Sequence, residues 1–268
     1  MTATLVDTHF HLDLSADPGA VVARCEAERI YTVAVTNAPC VFEKTERLTA
    51  GRKYVRAALG LHPELAVQRR TELPMFGELL SRTRYIGEIG LDYSTPSAEE
   101  RRGQRSVFDK ILQLCSDAGD KVLTIHSRRA AEDVVDAIGG SFRGTAILHW
   151  YSGSIQALGR AVNAGAYFSL NIAMCKGKRF PALLSRIPND RILTESDGPF
   201  VEVDGRKGEP ADVRRVLEVI AEMWKVDAAE VAKLVYANFG HALRDLPTTA
   251  SAAVIRERSA LGADRQIT

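Results

Sequence analysis

The stretch LVDTHFH, residues 5–11, begins with apolar residues and ends with two histidines. Side chains two positions apart on a β-strand point to the same side, so His9 and His11 would leave this predicted strand together. Paired histidines of this kind occur in metal sites, but surface histidines in a frayed terminal segment give the same pattern. The rest of the chain has to decide between the two interpretations.

Further short runs rich in β-branched residues follow, and they alternate with amphipathic helical segments. The predicted strands are LVDTHFH (5–11), YTVAVT (31–36), VRAALGLH (55–62), RYIGEIGL (84–91), KVLTIH (121–126), TAILHW (145–150), AYFSLN (166–171) and RILTESD (191–197). Helices are predicted near 17–29, 42–51, 72–82, 98–118, 129–139, 154–164, 178–187, 210–224 and 228–243. Strand–helix alternation predicts parallel strands, and eight repeats favour a closed (β/α)8 TIM-like barrel over an open sheet.

Length and composition set the domain organisation that we expect. The 268 residues suit one barrel domain over residues 1–246, whereas residues 247–268 are small and polar and predict a loosely attached extension. Serine and aspartate followed three residues later by glutamate, at Ser97 and Asp227, predict capping boxes at two helix starts. The formal net charge is only +1, so a nucleic-acid role would depend on a local site and not on a basic surface.

The cysteines and the hydropathy indicate the compartment. Four cysteines, Cys25, Cys40, Cys115 and Cys175, form no CxxC pair and are typical of core residues in a reducing compartment. We recognise no secretory signal and no apolar run of the roughly 20 residues that a membrane span needs. The sequence therefore predicts a cytoplasmic protein with no membrane partner.

Polar residues cluster at the carboxyl ends of the predicted strands, which meet at one face of a barrel. Five of the six histidines and two acids lie there: His9, His11, His62, Glu88, His126, His149 and Asp197. Without a cation, so many buried polar groups would carry a large desolvation cost. The clustering favours the metal-site interpretation of the first two histidines.

The donor types indicate the kind of metal site. Imidazole and carboxylate ligands suit Zn, Mn, Fe or Mg, and the absence of a nearby cysteine argues against a structural thiolate site. The set exceeds what one four-coordinate ion needs, so we predict two divalent ions about 3.5–4 Å apart. Such a pair generates a nucleophile from water at neutral pH and stabilises charge on an attacked phosphoryl oxygen.

Eight blocks of the sequence, in this order, resemble the TatD family of metal-dependent nucleases. They are DTHFHLDL (7–14), GLHPEL (60–65), RYIGEIGLDYS (84–94), IHSRRA (125–130), LHWYSGS (148–154), FSLNIAM (168–174), LTESDGPF (193–200) and YANFG (236–240). YTVAVTNAP (31–39), HSRRA, HWYSGS, FSLNIAM and SDGPF with the Gly-Arg loop after it also resemble the QatD proteins of Qat anti-phage operons. The block ESDGP departs from the ETDAP that is more usual in the family, which implies a reshaped pocket wall.

The resemblance implies a metal ligand set. One ion would be held by His9, His11 and Asp197, and Glu88 would bridge to a second ion held by His126 and His149. Glu88, Asp197, His62 and Arg128 would be catalytic, with Asp197 accepting a proton from the attacking water.

The resemblance also implies substrate contacts. His62 and Arg128 would bind the substrate phosphate, since a guanidinium can donate two parallel hydrogen bonds. Tyr151 and Asn171 would add further substrate contacts, although packing or capping roles fit these two residues equally well. Residues with weaker assignments are Asp92 and Glu195 beside the ligands, Trp150 and Ser152 beside His149, the cluster Lys176, Lys178 and Arg179, and Asn238 and His241 on the last helix.

The leading functional hypothesis is a divalent-metal phosphodiesterase that hydrolyses DNA, in anti-phage defence and with other Qat-system proteins as partners. The metal would be Mg, Mn or Zn. An amidohydrolase-type deacylase or esterase is the enzymatic alternative, but the predicted fourth strand offers Glu88 where many such enzymes carry a modified lysine. A scaffold subunit of a defence complex is the non-enzymatic alternative.

Overall fold

Eight parallel strands form the centre of the computed structural model, which describes residues 4–244. They are β1 (Leu5–Phe10), β2 (Ile30–Ala34), β3 (Val55–Ala57), β4 (Tyr85–Gly90), β5 (Val122–His126), β6 (Thr145–His149), β7 (Tyr167–Leu170) and β8 (Ile192–Thr194). Regular ladders join β1 to β3 and β4 to β8 in sequence order. Each predicted strand is present, and the (β/α)8 fold class is confirmed.

Irregular pairing closes the two remaining seams of the barrel. Between β3 and β4, the Leu59 amide donates to the Tyr85 carbonyl at 3.0 Å, and the Gly87 amide donates to the Leu59 carbonyl at 2.9 Å. Between β8 and β1, the Asp197 amide donates to the His9 carbonyl at 2.9 Å. The last and first strands therefore meet at the level of their polar ends, which fixes the relative positions of His9 and Asp197.

Helices cover the outside of the barrel. They are α1 (Pro18–Glu28), α2 (Pro39–Thr49), α3 (Pro63–Ala66), α4 (Leu73–Leu79), α5 (Ala98–Ala118), α6 (Ala131–Ile138), α7 (Ile155–Asn163), α8 (Ile172–Cys175), α9 (Phe180–Leu184), α10 (Val213–Trp224) and α11 (Ala228–Ala242). A hairpin of β9 (Glu202–Val203) and β10 (Arg206–Lys207) follows β8. The sequence did not predict this hairpin, α3 or α8. Within residues 4–244, no helix has the length and apolarity that a membrane crossing requires.

The two predicted capping boxes are only partly present. The Ser97 side chain accepts a hydrogen bond from the Glu100 amide at 3.2 Å. The Glu100 carboxylate, however, accepts a hydrogen bond from the Thr95 hydroxyl and none from the Ser97 amide. Asp227 makes no side-chain cap at the start of α11. That helix is instead tied to the barrel by Asn238, whose side-chain amide donates to the Ile192 carbonyl at 2.9 Å.

Several regular strands end earlier than the sequence predicted. The prediction for β3 runs to His62, but a Cβ at Gly60 would lie 1.9 Å from the Thr36 carbonyl oxygen, so the chain crosses a neighbouring backbone there. His62 becomes the N-cap of α3, and Asp197 adopts a left-handed φ of 48° beyond the end of β8. These polar residues thus lie on loops that extend the strands towards the barrel mouth.

The cysteines only partly follow the prediction of core positions. Cys25 and Cys115 are buried, Cys175 is partly buried, and Cys40 is exposed. All four are free thiols. The predicted polar extension, residues 247–268, lies outside the described residues.

Candidate metal centre

One cluster of donor atoms lies between the ends of β1 and β8. The Nε2 atoms of His9 and His11 are 3.3 Å apart, and they lie 3.7 and 3.5 Å from Asp197 Oδ1. Glu88 Oε2, from β4, lies 3.5 and 3.4 Å from the same two nitrogens. All four side chains are at most 4 % exposed. We call this group the β1/β8 cluster.

The spacing of the β1/β8 cluster fits a bound cation. Ligands held about 2.1 Å from a tetrahedral ion are roughly 3.4 Å apart, close to the distances observed here. Asp197 Oδ1 is buried and has no hydrogen-bond partner in the described structure, so its lone pairs are available. Nitrogen and carboxylate donors without sulfur suit Zn, Mn or Mg.

A second cluster lies on the other side of Glu88. Glu88 Oε1 is 2.7 Å from His126 Nδ1, 3.0 Å from His149 Nε2 and 3.4 Å from His62 Nε2. The imidazoles of His126 and His149 approach each other to 3.3 Å. We call His126, His149 and the nearby His62 the β5/β6 cluster. One oxygen of Glu88 therefore faces the other three residues of the β1/β8 cluster, and its second oxygen faces the β5/β6 cluster.

The charges in the two clusters are strongly coupled. Burial alone would raise the pKa of Glu88, but the imidazoles of His62, His149 and His9 lower it well below its ordinary value. Burial and the neighbouring His149 lower the pKa of His9 to about 4. Burial also lowers the pKa of His149, but Glu195 and Glu88 outweigh it and raise that pKa well above its usual range. Glu88 is therefore a carboxylate at neutral pH, and His9 is a neutral imidazole.

Two acids support the β5/β6 cluster from outside. Asp92 Oδ2 is 2.8 Å from His126 Nε2, and Glu195 Oε1 is 3.5 Å from His149 Nδ1. Glu195 also accepts hydrogen bonds from the Trp150 amide and from buried Ser169 and Asn171 side chains. Carboxylates of this kind orient ligating imidazoles and raise their basicity.

Two further residues, Asp7 and Thr124, position His9, and the sequence analysis missed both. The Asp7 carboxylate accepts from the His9 amide at 3.2 Å and also contacts Ser196. The Thr124 hydroxyl is 2.7 Å from His9 Nδ1. Asp7 shares the period-two spacing of His9 and His11, a signal that could have revealed its inward position.

An open cleft of about 430 Å³ lies over both clusters. His62 is 15 % exposed in the cleft, and the exposed side chain of Arg128 lines its wall. The remaining lining residues include Trp150, Ser152 and Phe200, from the loops after β6 and β8. Both predicted phosphate-binding residues thus line the same cleft as the donor atoms.

Two predicted substrate contacts lie away from this cleft. Tyr151 is buried, its hydroxyl donates to the Ser154 carbonyl at 2.7 Å, and its ring packs edge-on against Phe168. Asn171 is buried, donates to Glu195 at 2.9 Å, and accepts from the Met174 amide at the start of α8. The contacts of both residues are thus those of packing and capping, the alternatives left open by the sequence.

The basic cluster and the last histidine lie on the surface. Lys176, Lys178 and Arg179 are exposed, and the Arg179 guanidinium donates to the Gly153 carbonyl at 2.7 Å, next to the cleft residue Ser152. His241 is exposed on α11, away from the donor clusters.

Comparisons with known proteins identify the family of this chain and support its fold. The family model described as TatD related DNase matches residues 6–244. The metal-dependent hydrolase YabD of Bacillus subtilis is 29 % identical over 255 residues, covering 87 % of this chain and 96 % of the relative. The 3'-5' ssDNA/RNA exonuclease TatD of Musicola paradisiaca is 26 % identical, covering 83 % and 90 %. The crystal structure of the Escherichia coli TatD homologue YjjV superimposes with a TM-score of 0.80 at 24 % identity, covering 92 % of this chain and all of that one.

Proposed function

This chain belongs to the TatD related DNase family, a family of metal-dependent hydrolases, and from that premise we propose that it hydrolyses phosphodiester bonds in DNA. The observation that carries the proposal is the position of Glu88, whose two oxygens face two adjoining donor clusters under an open cleft. A carboxylate between two such clusters suits a bridging ligand of two divalent ions, Mg, Mn or Zn.

His9, His11 and Asp197 would hold one ion, His126 and His149 the other, and Glu88 both. When bound, such ions lower the pKa of water and stabilise negative charge on a phosphoryl oxygen. The donor chemistry supports metal binding, since nitrogen and carboxylate atoms converge in three overlapping groups, two of which contain Glu88.

The side chains around the clusters have separate roles. Arg128 binds the substrate phosphate through its guanidinium, which can donate two hydrogen bonds to phosphate oxygens. His62, partly exposed and 3.4 Å from Glu88, lies where it can donate to another oxygen of the same phosphate. The Asp197 carboxylate would accept the proton from the attacking water.

A direct test uses the purified chain, stripped of metal and then supplied with Mg, Mn or Zn. Single- and double-stranded DNA and RNA, labelled at either end, would report both activity and polarity. We expect metal-dependent shortening of DNA that falls at least about 1,000-fold in Glu88→Gln and Asp197→Asn. Glu218→Gln, an exposed isosteric change on α10, is the matched control and should leave activity unchanged.

Other outcomes separate the alternatives. If DNA stays intact while an amide or ester panel is hydrolysed in a Glu88-dependent manner, the chain is a deacylase or esterase. If no panel is hydrolysed, the scaffold hypothesis gains support. Intact DNA under all three metals contradicts the proposal.

We also propose that the enzyme acts in the cytoplasm in anti-phage defence, with Qat-system proteins as partners. The QatD-like sequence blocks support this. Among them is the unusual block ESDGP, in which Gly198 stands where alanine is more usual. A Cβ at Gly198 would lie 2.0 Å from the Gly208 carbonyl oxygen, so the alanine that is more usual there cannot fit beside the β9–β10 hairpin. Plaque counts on cells carrying the neighbouring genes, with wild-type protein or Glu88→Gln, test the role. Equal plaque counts would contradict it.

A further inference from the structure

Phe200 lies beside the metal centre with 59 % of its surface exposed, the largest share among the exposed large apolar side chains that residues 4–244 present. An apolar ring left in water forgoes the stabilisation that burial gives. Scattered exposed apolar residues need no explanation, but this one lines the cleft over both donor clusters.

The backbone holds Phe200 in a fixed relation to the metal ligands. The Phe200 amide donates to the Asp197 carbonyl at 3.0 Å, and the His11 amide donates to the Gly198 carbonyl at 2.9 Å. The Phe200 ring is nearly perpendicular to the His11 imidazole, at 88°, with ring centroids 4.9 Å apart. The turn between Asp197 and Phe200 therefore places an exposed ring next to a ligand.

A second aromatic residue lines the same cleft from another loop. Trp150 is partly buried, and its amide donates to Glu195 at 3.0 Å. Arg128 supplies positive charge on the cleft wall. A ligand that matches these groups has a phosphate for the ions and the guanidinium, and a flat apolar ring for the aromatic side chains.

We propose that Phe200 stacks on the base of a nucleotide joined to the scissile phosphate and makes the enzyme prefer substrates that carry a base there. This inference rests on the proposed function, because it concerns the same cleft. Stacking on an aromatic side chain is tolerant of base identity, since every base has a flat face. The enzyme should therefore discriminate between nucleotides with and without a base, but not among the four bases.

The kinetic experiment compares two oligonucleotides of equal length, one of which has abasic residues on both sides of the first bond that the enzyme cleaves. Wild type should cleave the normal oligonucleotide with a kcat/KM at least about tenfold higher. Phe200→Leu keeps an apolar side chain but removes the ring, so it should lose this preference, mainly through a higher KM on the normal substrate. Phe200→Tyr keeps the ring and should retain the preference.

A matched control and a binding measurement complete the test. Tyr236→Ala removes another exposed aromatic side chain, 49 % exposed on α11, and should change neither substrate. Without turnover, thymidine 5'-monophosphate should bind to wild type at least about tenfold more tightly than deoxyribose 5-phosphate, and Phe200→Leu should remove this difference.

Three results overturn the inference. The first is a Phe200→Leu enzyme that keeps the full preference for base-bearing substrate. The second is an equal loss on both oligonucleotides, which indicates a structural role for Phe200. The third is equal binding of the two phosphates to wild type. Failure of wild type to cleave any DNA contradicts the proposed function instead, and the binding comparison still tests Phe200.

Discussion

Asp7 accepts two hydrogen bonds from Ser196, one from its amide at 2.9 Å and one from its hydroxyl at 2.5 Å. Asp7 lies on β1 and Ser196 directly after β8, and both are buried. The pair joins the first and last strands of the barrel one residue before Asp197 and two residues before His9. The barrel seam and the candidate metal centre thus depend on the same contact.

Loss of the Ser196 hydroxyl should destabilise the protein. Ser196→Ala leaves a buried oxygen of Asp7 without its side-chain donor, which typically costs about 1–3 kcal/mol. Ser196→Thr keeps a hydroxyl and should retain most of the stability. Urea denaturation of the metal-free proteins measures the free energy of unfolding. If the alanine variant is as stable as wild type, the contact does not hold the seam.

Removal of the Glu195 charge should weaken metal binding at the β5/β6 cluster. Glu195 lies 3.5 Å from His149 Nδ1 and raises the pKa of that imidazole against the effect of burial. In Glu195→Gln the His149 imidazole is less basic and therefore a weaker metal ligand. We expect the metal affinity to be about 10–100-fold lower. Competition with a chelating dye measures the affinity. Glu218→Gln, on the outer surface, is the control; an unchanged affinity in Glu195→Gln would contradict the supporting role.

Metal binding should release protons at neutral pH. In the metal-free protein, carboxylates raise the pKa of His149 well above its ordinary value despite burial, so this imidazole is protonated at pH 7. An incoming ion has to displace that proton, so affinity falls as the pH is lowered. His9, with a pKa of about 4, is already neutral and releases no proton at this pH.

Calorimetry in two buffers of different ionisation enthalpy measures this release. We expect the binding enthalpy at pH 7 to depend on the buffer, with a net release of about one proton or more. Identical enthalpies in both buffers would mean that His149 is neutral before the metal binds.

Most of the fold was predicted from the pattern of apolar runs along the sequence and from the polar residues at the ends of these runs. Eight β-branched runs marked the eight strands, and the polar residues at their ends, among them His9 and Glu88, were predicted to meet at one face of the barrel. Because parallel strands end at one face of a barrel, local patterns were sufficient to predict this convergence. The described structure brings every predicted metal ligand into one of three overlapping donor groups.

Features that depend on contacts between distant segments could not be predicted. The Asp7–Ser196 pair spans 189 residues, and no local pattern reports such a contact. The early end of β3 follows from the close approach of Gly60 to another strand's backbone. Tyr151 lies two residues after the predicted ligand His149 but points into the core, because a left-handed φ of 38° at Trp150 changes the chain direction.

The most direct measurement of the central claim is an anomalous difference map from crystals of the protein soaked in Mn²⁺. We predict two peaks in one cleft, the first among His9, His11 and Asp197, the second beside His126 and His149, with Glu88 touching both. Glu88→Gln crystals, soaked in the same way, should lose at least one of the peaks. A map with no manganese at these side chains, or with manganese only elsewhere on the protein, would contradict the account.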